Sequence, residues 1–173
     1  LATSFAKGLL LGARGNSGVI LSQIFRGFAE GIPSSDDLTI SDLASALASG
    51  KERAYKAVLK PVEGTMLTVI KDASVELTKC ASEKKDIVAS FEDVYNTSLS
   101  SLNGTPELLP VLKEAGVVDS GGCGITKVLE GFLVALQGKE LSAESELVLL
   151  FFFFFFLSLS GAVSKRVIHA AFA

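Results

Sequence analysis

The sequence predicts an all-α fold, an antiparallel helical bundle with short connections, and three observations carry that reading. Apolar residues recur at three- and four-residue spacing in one segment after another. Glycine, proline and helix-capping residues stand between those segments. No convincing pair of strands appears, and Val117-Val118 is too short to form one.

Each element follows in order. The chain opens at Leu1, without methionine, inside an apolar segment, as expected of a fragment whose start has been lost. Glycines interrupt that segment and no basic stretch precedes it, so it does not read as a signal peptide. Val19, Ile20, Ile24, Phe25 and Phe28 predict an amphipathic helix over residues 17–30, stopped by Gly31 and Pro33. A second start lies at Thr39 or Ser41, either of which can cap, with Asp42 in the first turn. Leu43, Leu47, Ala54, Val58 and Leu59 define its face, which is expected to end before Pro61, with Gly50 weakening the helix without breaking it.

A third helix runs from Thr65 through Leu67, Ile70, Ala73 and Leu77 to a charged turn at Glu83–Asp86, where Lys84-Lys85 reads as solvated. A fourth is expected over Ile87–Leu102 and is ended by Asn103-Gly104. Thr105-Pro106-Glu107 then reads as a restart, with a capping Thr and Pro at the first helical position. That helix stops near Gly116. The last, about Gly122 to Leu136, gathers Ile125, Val128, Leu129, Phe132 and Leu133 and ends at Gly138.

Composition divides the 173 residues in two. The first 146 residues hold all 19 acidic and 14 of the 16 basic residues, a balance of −5, and their apolar content is ordinary for a globular domain. Residues 147–173 are apolar, with six consecutive phenylalanines from Phe151 to Phe156. A mildly acidic body without a basic cluster argues against nucleic acid as a partner. Cys80 and Cys123 are too far apart in sequence for a zinc or redox motif and read as inert thiols of a reducing, cytoplasmic compartment. The sole histidine, His169, lies in the tail, which rules out a histidine-based triad in the body.

Three loops are richer than helix termination requires. Gly12-Ala13-Arg14-Gly15-Asn16-Ser17-Gly18 opens into a helix, where backbone N–H groups, the positive dipole end and Arg14 can receive an anion. It is neither a Walker A loop nor a Rossmann fingerprint, and a plain glycine-rich turn explains it equally. Lys60-Pro61-Val62-Glu63-Gly64-Thr65-Met66 places Thr65 at a helix start, where simple capping also accounts for it, and Met66 suits either core filling or the flank of an adenine. Val118-Asp119-Ser120-Gly121-Gly122-Cys123-Gly124 has Asp119 or Ser120 as a cap and three glycines in four residues. In an antiparallel bundle alternate helix starts reach the same end. Three glycine-rich starts there would converge donors on one polyanion, such as a nucleotide triphosphate.

The runs Gly8–Gln23, Ala54–Val58 with Lys60–Val69, and Val111–Gly122 resemble the nucleotide-binding domain of the dihydroxyacetone kinase L-subunit family, and within it the branch of the bacterial fatty acid kinase A subunit. The resemblance covers about residues 1–139, which it makes a partial nucleotide-binding helical domain, and leaves 140–173 as an unrelated tail. It implies an eight-helix antiparallel barrel that binds ATP at one rim with two Mg²⁺ ions. It further implies that Arg14, Gly15, Asn16, Ser17 and Gly18 cradle phosphates. Thr65 and Met66 would lie near the nucleotide, and Asp119, Ser120 and Gly121 would close its far side. The acceptor would be dihydroxyacetone (glycerone) on a partner subunit, or a fatty acid presented by a carrier protein. The family's Mg²⁺-binding Asp-Gly-Asp-Thr-Gly motif does not occur in the 173 residues. The Mg²⁺ ligands are therefore expected in a preceding segment. Without that segment the chain is expected to be inactive and to show an open apolar seam. A non-catalytic helical module, binding nucleotide or a protein partner, is the alternative.

Residues 147–164 are 18 uncharged residues, 14 of them apolar, at the lower edge of a membrane span, with Lys165-Arg166 as a cytoplasmic flank. Serines dilute the second half, and a phenylalanine homopolymer has no packing logic in a helix. Residues from about 142 onward therefore read as a gene-model or frameshift product, with a membrane anchor as the other reading.

Overall fold

The computed structural model describes residues 2–34 and 37–139. The tail and the expectations attached to it lie outside the described residues. Among the described residues there are seven helices and no strand: α1 (Ala2–Gly12), α2 (Gly15–Gly31), α3 (Ile40–Lys56), α4 (Met66–Ser82), α5 (Ile87–Leu108), α6 (Pro110–Ala115) and α7 (Ser120–Leu136). None of them is long and apolar enough to cross a membrane.

The helix starts are made by the expected chemistry. Of the two cap choices for α3 the chain uses Thr39. Its hydroxyl accepts from the Asp42 amide at 3.2 Å while the Asp42 carboxylate accepts from the Thr39 amide at 2.9 Å, a reciprocal capping box. Thr65 caps α4 and Asp86 caps α5. In the charged turn only part of the expectation holds, because Lys85 pairs with Asp93 on α5 instead of remaining solvated.

Two boundaries differ from the sequence reading. Helix α3 ends at Lys56, so Val58 and Leu59 leave its face and Leu59 is fully exposed. Beyond that end the chain folds back, and Glu63 receives the hydroxyl of Tyr55, eight residues before it, at 3.0 Å. Helix α5 does not stop at Asn103-Gly104. It runs through Pro106 to Leu108, and the restart lies at Pro110 instead. A proline inside a helix withholds the N–H that would reach the carbonyl four residues back. Here the Thr105 hydroxyl donates to that carbonyl, on Leu102, at 2.7 Å. The residues expected to begin a helix thus repair one.

Helix α4 is central. It packs on α3, α5 and α7, and Val69, Ile70, Ala73 and Leu77 are buried on it. Around it the core gathers Ile24, Leu47, Phe91, Val94, Ile125 and Leu129. Helices α2 and α3 approach backbone to backbone. A Cβ on Gly27 would lie 2.4 Å from the Ser49 carbonyl oxygen, and one on Gly50 would lie 2.7 Å from that of Ile24. Gly50, read as a weak point in α3, is therefore a packing requirement.

Cross-helix pairs fix the directions. Gly31 meets Ala46 while Ile24 meets Gly50, so α2 and α3 are antiparallel. Asp72 bonds Ser101 and Lys85 pairs with Asp93, so α4 and α5 are antiparallel. Glu130 meets Tyr95 while Asp119 meets Thr105, so α5 and α7 are antiparallel too. Helix α7 runs parallel to α4, with Gly121 on Met66 and Gly122 on Val69. Phe28 stacks on Phe132 at 6.3 Å, and an apolar cleft between Ile24, Phe25, Ile125 and Val128 joins α2 to α7. Helix α1 rests on α2 through an edge-on Phe5–Phe25 contact at 5.2 Å, and leaves Leu11 71% and Phe5 54% exposed.

Candidate functional site

Alternate helices in this array point the same way, so the starts of α2, α4 and α7 share one end. These are the three glycine-rich starts singled out in the sequence. Each brings unpaired N–H groups and the positive end of a helix dipole to that end.

The starts of α4 and α7 are in contact. A Cβ on Gly121 would stand 3.2 Å from both the Met66 sulfur and an Asp119 carboxylate oxygen. Met66 is buried, Thr65 half-buried and Ser120 exposed. Asp119 accepts from the Gly122 amide at 2.6 Å, and its own amide donates to Thr105 at 3.1 Å. Thr65 accepts from the Leu67 amide at 3.3 Å and donates to the Val62 carbonyl at 2.7 Å. Thr65 and Asp119 are thus committed as caps, and each satisfies part of its own helix start.

The start of α2 differs. Its N-cap position is Arg14, whose side chain makes no capping bond. The guanidinium instead donates to the carbonyls of Leu11, at 3.3 Å, and Ala13, at 2.8 Å. Gly15 has φ +66°, a left-handed conformation that glycine adopts without strain, and this turns the chain from α1 into α2. Asn16 and Ser17 are exposed, and Gly18 is buried. The cap position of this helix therefore supplies no side-chain acceptor to its opening N–H groups, unlike those of α4 and α7.

Sequence reasoning missed the network beneath this end. The Glu63 carboxylate accepts from Thr68 at 2.6 Å, Lys71 at 2.7 Å and Tyr55 at 3.0 Å. Burial pushes the Glu63 carboxyl up, but the hydrogen bonds from Lys71, Thr68 and Tyr55 outweigh it and hold the group below the usual range. Burial, with Glu63 beside it, pushes the Tyr55 phenol well above its ordinary value. Glu63 stood within a singled-out loop, but only the helix-to-helix pairing reveals its partners. The bond from the Asp119 amide to Thr105 was hidden for the same reason.

The residues do not fit Mg²⁺. Among the described residues one trio of metal-ligating groups lies together, Glu76, Cys80 and Asp93, with ligand atoms within 4.8 Å of one another. It sits toward the far end of α4, away from the three starts. Its thiol is a soft donor, while Mg²⁺ demands oxygen ligands. Lys79 and Lys85 already pair with its carboxylates. Burial, reinforced by Glu76 and Asp93, pushes the Cys80 thiol up, so it stays protonated and is no nucleophile. No metal-assisted step is assigned to these residues. A polar groove of about 410 Å³ lies between α2 and α3, but its cations are also taken, Arg53 by Glu30 and Lys56 by Glu52.

Comparison with known proteins agrees with the resemblance seen in the sequence. The profile of the DAK2 domain matches residues 1–134. Protein YloV of Bacillus subtilis is 52% identical over 147 residues, covering 85% of this chain and 27% of that protein. An uncharacterized protein of Staphylococcus haemolyticus is 53% identical over 146 residues, covering 84% of this chain and 26% of its own length. One of Staphylococcus aureus is 52% identical over 144 residues, covering 83% and 26%. The chain therefore spans about a quarter of the length of these relatives. With the profile covering most of the chain and these relatives about half identical to it, the chain belongs to the DAK2 domain family, the dihydroxyacetone kinase L-subunit-like family.

Proposed function

We propose that this chain is the nucleotide-binding part of an ATP-dependent phosphotransferase. The observation that carries the proposal is the arrangement of the three parallel helix starts. Two are capped by their own side chains and lie in contact, while the third, at α2, is open and flanked by Arg14. The open start suits phosphate oxygens, and Met66, packed against Gly121, would flank the base. In this reading Arg14, Gly15, Asn16, Ser17 and Gly18 hold the phosphates, and Thr65, Met66, Asp119, Ser120 and Gly121 line the rest of the site.

ATP arrives with Mg²⁺, which neutralises charge on the transferring phosphoryl group. The described residues supply no fitting ligand set, so we place the Mg²⁺ ligands elsewhere in a longer protein and expect no phosphoryl transfer by this chain alone. The acceptor is dihydroxyacetone or a fatty acid, presented by a partner subunit or carrier protein, in the cytoplasm.

Calorimetric titration of ATP with Mg²⁺ into this chain and into the full-length gene product tests the reading. Binding is expected in the full-length protein and to be weak or lost in the 173 residues. No binding in either would overturn the nucleotide reading and favour an interaction module.

A further inference from the structure

The loop between α3 and α4 carries an organisation that capping by Thr65 does not require. Gly64 is buried with φ +81°, and a Cβ there would stand 2.8 Å from the Leu109 Cβ and 3.0 Å from the Thr105 carbonyl oxygen. The chain is wedged against the end of α5, in a conformation only glycine adopts freely. What holds it is a closed circuit of hydrogen bonds. The Gly64 amide donates to the Thr68 hydroxyl at 2.8 Å, and that hydroxyl donates its own proton to Glu63 at 2.6 Å. Glu63 is thus tied to the amide of the residue that follows it. Lys71 anchors the same carboxylate oxygen one turn further along α4. The Tyr55 hydroxyl lies 3.0 Å from the other oxygen and 3.2 Å from the Leu67 carbonyl, and shares its single proton between them.

This circuit joins the end of α3 to the first two turns of α4 through one carboxylate. Between its fixed points sit only Thr65, which caps α4, and Met66, which meets Gly121 at the start of α7. Hydrogen bonds to an ionised acceptor are stronger than neutral ones, so a carboxylate is a stiffer hub than an amide or hydroxyl would be.

We propose that Glu63 is a positioning residue of the ligand site, whose carboxylate, relayed through the Thr68 hydroxyl, sets where Met66 stands against Gly121. The proposal rests on the nucleotide reading above. Glu63 does not touch the ligand. It acts by holding the start of α4 against the start of α7.

The test uses the full-length gene product with three substitutions, Glu63→Gln, Thr68→Val and Thr68→Ser, and two readouts. Amide exchange at Gly64, measured by NMR, reports the circuit. Calorimetric titration with ATP and Mg²⁺ reports the site. Glu63→Gln and Thr68→Val are expected to speed Gly64 exchange and to weaken ATP binding about tenfold, the effect of losing one or two supporting bonds. Thr68→Ser keeps the hydroxyl and is expected to retain both the protection and the affinity, a rescue that general loss of packing would not give. If Glu63→Gln and Thr68→Val bind ATP as tightly as the unsubstituted protein, this inference is overturned and the nucleotide reading stands. If the unsubstituted protein binds no ATP, the nucleotide reading falls, and this inference with it.

Discussion

The Thr105 hydroxyl lies 3.1 Å from the Asp119 amide and receives its proton, while giving its own to the Leu102 carbonyl that Pro106 leaves without a partner. One buried side chain therefore completes α5 and pins the start of α7 to it.

Thr105→Val keeps the shape and removes both bonds. It leaves a buried carbonyl and a part-buried amide unsatisfied, and is expected to cost about 1–3 kcal/mol in urea or thermal unfolding. Thr105→Ser is expected to stay close to the unsubstituted protein. Equal stability of the valine variant would show that the two bonds contribute nothing.

Glycine substitutions should divide sharply by site. Gly27→Ala places a methyl 2.4 Å from backbone that cannot yield, so α2 and α3 must separate and folding should fail or weaken severely. Gly104 lies within α5 with nothing within 4 Å of its added Cβ. Gly104→Ala is expected to stabilise by about 0.5–1 kcal/mol through helix propensity alone. Thermal melts of the two variants decide it.

Arg14→Ala should leave stability unchanged, because the exposed guanidinium contacts only neighbouring carbonyls. In the full-length gene product it is expected to weaken ATP binding about tenfold, the usual scale for losing one charge-assisted contact. Unaltered affinity would remove Arg14 from the site.

Titration gives two further checks. Glu63 has its pKa lowered in the fold, so what its ionised form adds to stability is complete above the ordinary carboxylate value and is lost as pH falls below it. Gly64 protection, relative to the exchange of an unstructured amide at the same pH, is therefore expected to fall on acidification below the usual carboxylate range, and to lose that dependence in Glu63→Gln. Both tyrosines, Tyr55 and Tyr95, have raised pKa values, chiefly from burial. Ultraviolet titration of the folded protein should show little phenolate near pH 10, where free tyrosine is about half ionised. A half-titrated signal there would contradict the raised values of the two half-buried tyrosines.

The helices were legible because their information is local. Thr39 and Asp42 spell a capping box within four residues, and the apolar spacing of α4 and α7 shows in any short window. The continuation of α5 was not legible. Asn103-Gly104-Thr105-Pro106 carries every local mark of a break, and only the reach of the Thr105 hydroxyl, with α7 packed alongside, reverses it. The candidate site divides in the same way. Its glycine-rich starts stand out in the sequence, whereas the bonds of Glu63 to Tyr55 and of Asp119 to Thr105 join different helices and leave no short-range trace.

The near-fusion of α2 and α3 at Gly27, Gly31 and Gly50 has a mechanical consequence. Two helices whose main chains touch over several turns cannot slide or roll past each other, so they form a single stiff strut. Arg14 and the open α2 start sit at one end of that strut, beside the end of α3 that carries Tyr55. A displacement at either helix is therefore expected to carry the other with it.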